Sequence, residues 1–160
     1  MSKEERIEFY SNQIKVEEKI IATAQKAVKG VLNPLVREMI LAVAIDSQKH
    51  ETMLQALLKR IQGPTPAIDE EVSAEIAEAI QEHMELEAQA VKQYRNYLDS
   101  KCCVDAKEKI VIKAIYEDEL RHHELLRWLY KTVVQKETLI EEDIWDHMWS
   151  DAFTHGTPGG

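Results

Sequence analysis

Apolar residues recur at helical spacing along four long segments of this chain. Positions three, four and seven apart, which share one face of an α-helix, are repeatedly Ile, Leu, Val, Ala or Tyr. With only 5 Gly and 4 Pro in 160 residues, few positions are suited to tight turns. The pattern therefore predicts an all-α protein. The four apolar stripes begin at Ile7, Val36, Ile76 and Ile112, and they end at Val28, Ile61, Leu98 and Val133.

Local start and stop signals place the first two helices. Residues 2–5, Ser-Lys-Glu-Glu, form a capping box, and Gly30 is suited to stop the helix that they open. Asn33 followed by Pro34 combines an N-cap with a proline at the first helical position. The second helix is predicted to run to about Ile61.

Similar signals place the remaining helices. The third is predicted to begin between Asp69 and Glu75 and to end near Ser100, and the fourth to run from a cap at Asp105 to about Lys136. We therefore predict a four-helix bundle over residues 1–136. A second capping box at 138–141 predicts a short amphipathic fifth helix over 137–153, before a flexible Gly/Pro-rich tail at 154–160. That helix carries two of the three tryptophans, which favours packing or oligomerisation over membrane contact.

Polar or ionisable residues interrupt every apolar stripe near its middle. Burying a charge without a partner is costly. Interruptions at matching depth in four helices therefore predict a shared partner, and a metal ion is the obvious one. The interruptions are Glu17 in the first helix, Ser47 and His50 in the second, His83 and Glu87 in the third, and Glu119 and His122 in the fourth.

The two halves of the chain also align with each other. Setting Glu17 on Glu87, and His50 on His122, superimposes apolar positions throughout both pairs of helices. The sequence therefore predicts a duplicated helical hairpin, with one Glu on its first helix and Asp-x-x-x-His on its second. A pseudo-twofold bundle with a central site follows from this duplication.

At these residues the chain resembles the ferritin-like di-metal carboxylate proteins, and the rubrerythrin-like branch in particular. That fold uses a Glu from two helices and Glu-x-x-His from the other two. Residues 118–122, Asp-Glu-Leu-Arg-His, match the Asp-Glu-x-x-His form of the motif, and residues 87–94 resemble the family's Glu-x-x-Ala-x-x-x-Tyr. The resemblance covers roughly residues 5–135, and it departs from the family at Ser47, where a Glu is expected.

The resemblance implies five protein ligands for the metal. Asp46 is a substitute ligand if it turns inward, and Asp118 is expected to orient a ligating histidine. Without a metal, the same groups would form buried ion pairs, helix-edge carboxylates or ordinary core packing. The implied ligands are Glu17, His50, Glu87, Glu119 and His122; the candidates for supporting or substitute roles are Glu18, Asp46, His83, Tyr94, Tyr116 and Asp118.

The resemblance further implies a function. A carboxylate/histidine site of this kind would bind two iron ions, with manganese or zinc as alternatives. It would reduce hydrogen peroxide or oxidise Fe²⁺ with O₂, as an oxidoreductase supplied by an external electron donor. Two other hypotheses are a non-enzymatic scaffold with one metal or none, acting in protein interaction, and an iron-storage protein, which would need a cage-like oligomer.

Charge and cysteine content limit the binding partners and the location that the sequence predicts. The 20 basic and 29 acidic residues give a net charge of −9, which argues against a nucleic-acid partner. No apolar run approaches the ~18 residues of a membrane span, and the charged N-terminus argues against a signal peptide, so a cytoplasmic location is expected. The two cysteines, Cys102 and Cys103, are adjacent and form no CxxC pair. A homo-oligomer, a dimer in the first instance, is expected, and the taut, proline-containing link over 62–72 leaves exchange of hairpins between its subunits open.

Overall fold

The computed structural model describes residues 1–64, 70–100 and 105–133. The described residues form four α-helices and contain no strand, which confirms the all-α, four-helix architecture predicted from the sequence. The predicted fifth helix at 137–153 and the tail lie outside the described residues. The helices are α1 (Lys3–Ala27), α2 (Pro34–Gln62), α3 (Glu70–Asp99) and α4 (Ala106–Val133).

The chain divides into two compact units, one on each side of residues 65–69. Hairpin 1 consists of α1 packed on α2, and hairpin 2 consists of α3 packed on α4. Each half of the internal repeat is therefore one helical hairpin. The helices α2 and α3 are separated by residues 63–69, a shorter link than the 62–72 expected from the sequence.

The helix ends of hairpin 1 follow from local hydrogen bonding. Ser2 accepts a hydrogen bond from the Glu5 amide at 3.1 Å, and the Ser2 amide donates to the Glu5 carboxylate at 2.6 Å, which completes the predicted capping box. Gly30 has φ +86°, a left-handed conformation that favours glycine, in the turn after α1. Asn33 then caps α2 by accepting from the Val36 amide at 3.2 Å.

The apolar stripe of α2 is wider than the face that α1 covers. Ala44 and Ser47 are buried. By contrast, between 40% and 55% of the surface is exposed at Val36, Val43 and Leu57. A single neighbouring helix covers only part of a stripe that is about 100° wide or more. The sequence pattern thus identifies the apolar side of α2. Packing on α1 determines which residues of that side are buried.

Two contacts between α3 and α4 set the alignment of hairpin 2. Gln81 donates from Nε2 to the Tyr130 hydroxyl at 2.6 Å, and the Tyr97 hydroxyl donates to Glu108 nearer the turn. Glu87 lies between Gln81 and Tyr97 along α3. These contacts therefore bracket the middle of the hairpin, where the polar interruptions of α3 and α4 lie.

None of the described helices is both long and apolar enough to cross a lipid bilayer.

Candidate metal site

Hairpin 2 brings three of the five predicted ligands together. Each of Glu87, Glu119 and His122 offers a ligand atom, and these atoms all lie within 4.8 Å of one another. His122 Nδ1 is 3.7 Å from Glu119 Oε2 and 3.9 Å from Glu87 Oε1. We call these three residues the hairpin 2 cluster. Two carboxylates and an imidazole so arranged could hold a metal ion.

The helical spacing explains how α4 contributes two members of the cluster. Glu119 and His122 are three residues apart, so their side chains share one face of the helix. Glu87 enters from α3, and its side chain is only 10% exposed. The two helices therefore bring a buried carboxylate against a mixed carboxylate/imidazole face.

One oxygen of Glu87 supports the assignment as a metal site. Glu87 Oε2 is buried and has no hydrogen-bond partner among the described residues. A buried carboxylate oxygen without a partner is destabilising, because it has lost its hydration without compensation. A cation bound at the cluster would supply the missing interaction.

The neighbouring Glu87 carboxylate makes Glu119 harder to ionise. The hydrogen bond with Glu87 raises the pKa of Glu119 to about 7, and burial and the negative charges of Glu87 and Asp118 act in the same direction. Glu119 therefore keeps its proton to a higher pH than an ordinary glutamate does. A metal ion would have to displace this proton to bind the carboxylates of both Glu87 and Glu119.

Hairpin 1 brings together the other two predicted ligands. Glu17 Oε1 lies 3.4 Å from His50 Nδ1, and the Glu17 side chain is 16% exposed. Glu17 Oε2, like Glu87 Oε2, is buried without a hydrogen-bond partner in the described part of the chain. Hairpin 1 thus repeats the carboxylate–histidine contact of hairpin 2.

The second carboxylate has no equivalent in hairpin 1. Ser47, which the internal repeat aligns with Glu119, is 4% exposed and occupies the buried face of α2. Its hydroxyl carries no charge and is a weaker metal ligand than a carboxylate. The two hairpins therefore present different donor sets.

The aspartates before the two histidines bind neighbouring basic side chains. Asp46 pairs with Lys49 at 2.8 Å, and Asp118 pairs with Arg121. Both pairs follow the i,i+3 spacing of adjacent helical turns. In this structure the two aspartates occupy equivalent positions in the repeat and make equivalent ion pairs.

The other predicted supporting residues differ in burial. Glu18 is exposed, and Tyr94 and Tyr116 are half-buried. His83 lies one turn before Glu87, and its Nε2 is 3.0 Å from Glu87 Oε1. His123 lies off the main apolar stripe of α4 and is half-buried, as its position predicts. Its Nδ1 is buried without a hydrogen-bond partner among the described residues.

Comparison with known protein families found no matching family model, and neither the curated proteins nor the solved structures gave a significant match to this chain.

Proposed function

We propose that this protein is a ferritin-like, rubrerythrin-like oxidoreductase that binds iron at its carboxylate/histidine residues and reduces hydrogen peroxide or oxidises Fe²⁺ with O₂. The observation that carries the proposal is the convergence of Glu87, Glu119 and His122 around a buried, unpartnered carboxylate oxygen. The resemblance of residues 118–122 to the family motif supports the same reading.

The donor set favours iron or manganese. Carboxylate oxygens and a neutral imidazole suit these ions, whereas a thiolate-rich site would favour zinc or copper(I). Three protein ligands leave coordination positions open to a small substrate, as catalytic metal sites require. Iron bound here would supply one-electron redox chemistry between its Fe²⁺ and Fe³⁺ states.

The protein's own residues have distinct tasks in this proposal. Glu87 and Glu119 neutralise cationic charge, and Glu119 releases its proton when a cation binds. His122 contributes an uncharged ligand. Reduction of one H₂O₂ to two H₂O consumes two electrons and two protons. An external electron donor would supply the electrons.

A second candidate function rests on Ser47. With Ser47 in place of a carboxylate, hairpin 1 offers only Glu17 and His50 to a metal. The alternative is a non-enzymatic scaffold that holds a single structural metal, or none, and acts in protein interaction. The two proposals differ in metal content and in redox turnover.

Metal analysis of the full chain tests the first proposal. Protein loaded anaerobically with Fe²⁺ and desalted should retain iron, which is measured by mass spectrometry of the metal. Glu119→Gln should lose most of it. Glu117→Gln is the matched control, because Glu117 is on the same helix, is 49% exposed and pairs with Lys113.

Peroxide consumption with a chemical reductant then separates the two candidates. Iron retention with turnover that Glu119→Gln abolishes supports the oxidoreductase. Iron retention without turnover supports the scaffold. Absence of bound iron in the wild-type protein contradicts the oxidoreductase outright.

A further inference from the structure

His83 makes the shortest contact between a histidine and a carboxylate in the described part of the chain. Its Nε2 lies 3.0 Å from Glu87 Oε1, whereas the other such contacts measure between 3.4 and 3.9 Å. His83 and Glu87 are four residues apart on α3 and share one face of the helix. The separation of the ring nitrogen and the carboxylate oxygen is within hydrogen-bonding distance.

The exposure of the two partners is very different. The His83 side chain is 58% exposed, whereas that of Glu87 is 10% exposed. The imidazole therefore contacts a buried carboxylate from the solvent side. Deleting the His83 ring would therefore remove this contact without truncating a buried side chain.

We propose that His83 is a positioning residue for metal binding in hairpin 2. It contacts Glu87 Oε1 and thereby restricts rotation of the carboxylate. The remaining lone pairs, including those of the buried Oε2, stay available to a cation. This inference rests on the proposed metal binding but not on any redox activity.

The geometry favours positioning over direct ligation by His83. The ligand atoms that converge within 4.8 Å belong to Glu87, Glu119 and His122, and His83 is not a member of that group. Groups that contact a metal ligand from outside fix its orientation and tune its basicity. His83 has this relation to Glu87.

The internal repeat supplies a parallel in hairpin 1. The alignment that sets Glu17 on Glu87 sets Gln13 on His83, so the residue four positions before each of these glutamates carries a side-chain N–H donor. Glutamine is therefore the conservative replacement for His83, since it keeps a donor at this position. This replacement yields a conservative variant for the test.

Mn²⁺ binding to the full chain tests the proposal. Free Mn²⁺ is followed by electron paramagnetic resonance as each protein is titrated, so the readout does not depend on enzymatic activity. His83→Ala should weaken Mn²⁺ binding about 10- to 100-fold, and His83→Gln should restore most of the affinity. Gln89→Ala, an exposed neutral change on the same helix, should bind as the wild type does.

Thermal unfolding of each metal-free variant shows whether the hairpin is intact. A His83→Ala protein that unfolds as the wild type does but binds Mn²⁺ weakly supports positioning. Wild-type affinity in His83→Ala overturns the positioning role and leaves the proposed metal binding standing. Weak binding by both His83 variants indicates direct ligation instead, and it also overturns the proposal. Absence of Mn²⁺ binding to the wild type contradicts the proposed metal function itself.

Discussion

Glu17 of α1 and Glu87 of α3 occupy equivalent positions in the two hairpins, and each has one oxygen near a histidine and the other buried without a hydrogen-bond partner among the described residues. The equivalence extends to the histidines, because His50 and His122 also align in the repeat. The hairpins differ at the third position, where Ser47 aligns with Glu119. Among the aligned glutamate and histidine ligand positions, the two hairpins therefore differ by one carboxylate.

Introducing a carboxylate at position 47 should create a metal site in hairpin 1. We expect Ser47→Glu to destabilise the metal-free protein by about 1–3 kcal/mol, because a polar group is buried there without a matched partner. Added Mn²⁺ or Fe²⁺ should recover the stability, and the number of bound ions should increase. Thermal unfolding with and without metal, together with metal analysis, measures both effects.

The control for this change is Ser47→Gln, which adds a side chain of similar size without the charge. It should lower stability without adding a metal ion. The prediction is wrong if Ser47→Glu binds no more metal than Ser47→Gln.

The raised pKa of Glu119 predicts a pH dependence of stability. Because the folded-state pKa is about 7 and the ordinary value is 4.5, the folded protein holds a proton that the unfolded chain has released in this interval. This contribution to the free energy of unfolding is fully present below pH 4.5 and is lost as the pH rises through 7. Urea unfolding of metal-free protein should show the decline, and Glu119→Gln should lack this component.

Metal affinity should also depend on the protonation of Glu119. At pH 6 a divalent cation must displace the proton of Glu119, so its apparent affinity should rise with pH and level off above 7. Calorimetric titrations in buffers of different ionisation enthalpy count the protons released. Equal proton release at pH 6 and pH 8 would contradict this expectation.

Replacing Gly30 should lower the free energy of unfolding more than replacing Gly63. At φ +86° an alanine is strained even though no atom lies within 4 Å of its added Cβ, so Gly30→Ala should cost about 1–2 kcal/mol. Gly63 has φ −152° and equally open surroundings, so Gly63→Ala should leave stability unchanged or raise it by up to about 1 kcal/mol. Urea unfolding monitored by circular dichroism distinguishes them, and equal effects would argue against a left-handed Gly30.

The cap of α2 should contribute measurably to stability. Asn33→Ala removes the side-chain acceptor of the Val36 amide and should cost about 0.5–2 kcal/mol. Leu32→Ala is the neighbouring control, because Leu32 is 95% exposed and its truncation removes little contact. A loss of stability for Leu32→Ala as large as that for Asn33→Ala would exclude the capping explanation.

The helix ends were predictable because their causes are local. The Ser2–Glu5 capping box and the Asn33-Pro34 start each depend on residues within one turn, and both appear in the structure as the sequence indicates. The convergence of Glu119 and His122 was predictable for the same reason, since three-residue spacing places them on one face of α4.

Other features depend on tertiary packing that no local pattern contains. The period of the α2 stripe does not specify that Ser47 is buried while Val43 is exposed, because the position of α1 decides this. Spacing alone places His83 near Glu87, but the side-chain rotamers determine that the contact is 3.0 Å.

The serine at position 47 gives the two repeats unequal electrostatic requirements. Hairpin 2 contains two neighbouring carboxylates whose mutual repulsion depends on protons or cations in the medium, whereas hairpin 1 contains one carboxylate and a neutral hydroxyl. The folding of hairpin 1 should consequently be less sensitive to cation supply than that of hairpin 2. The two repeats would then differ in their response to the medium, with the stability of hairpin 2 depending on cations more strongly than that of hairpin 1.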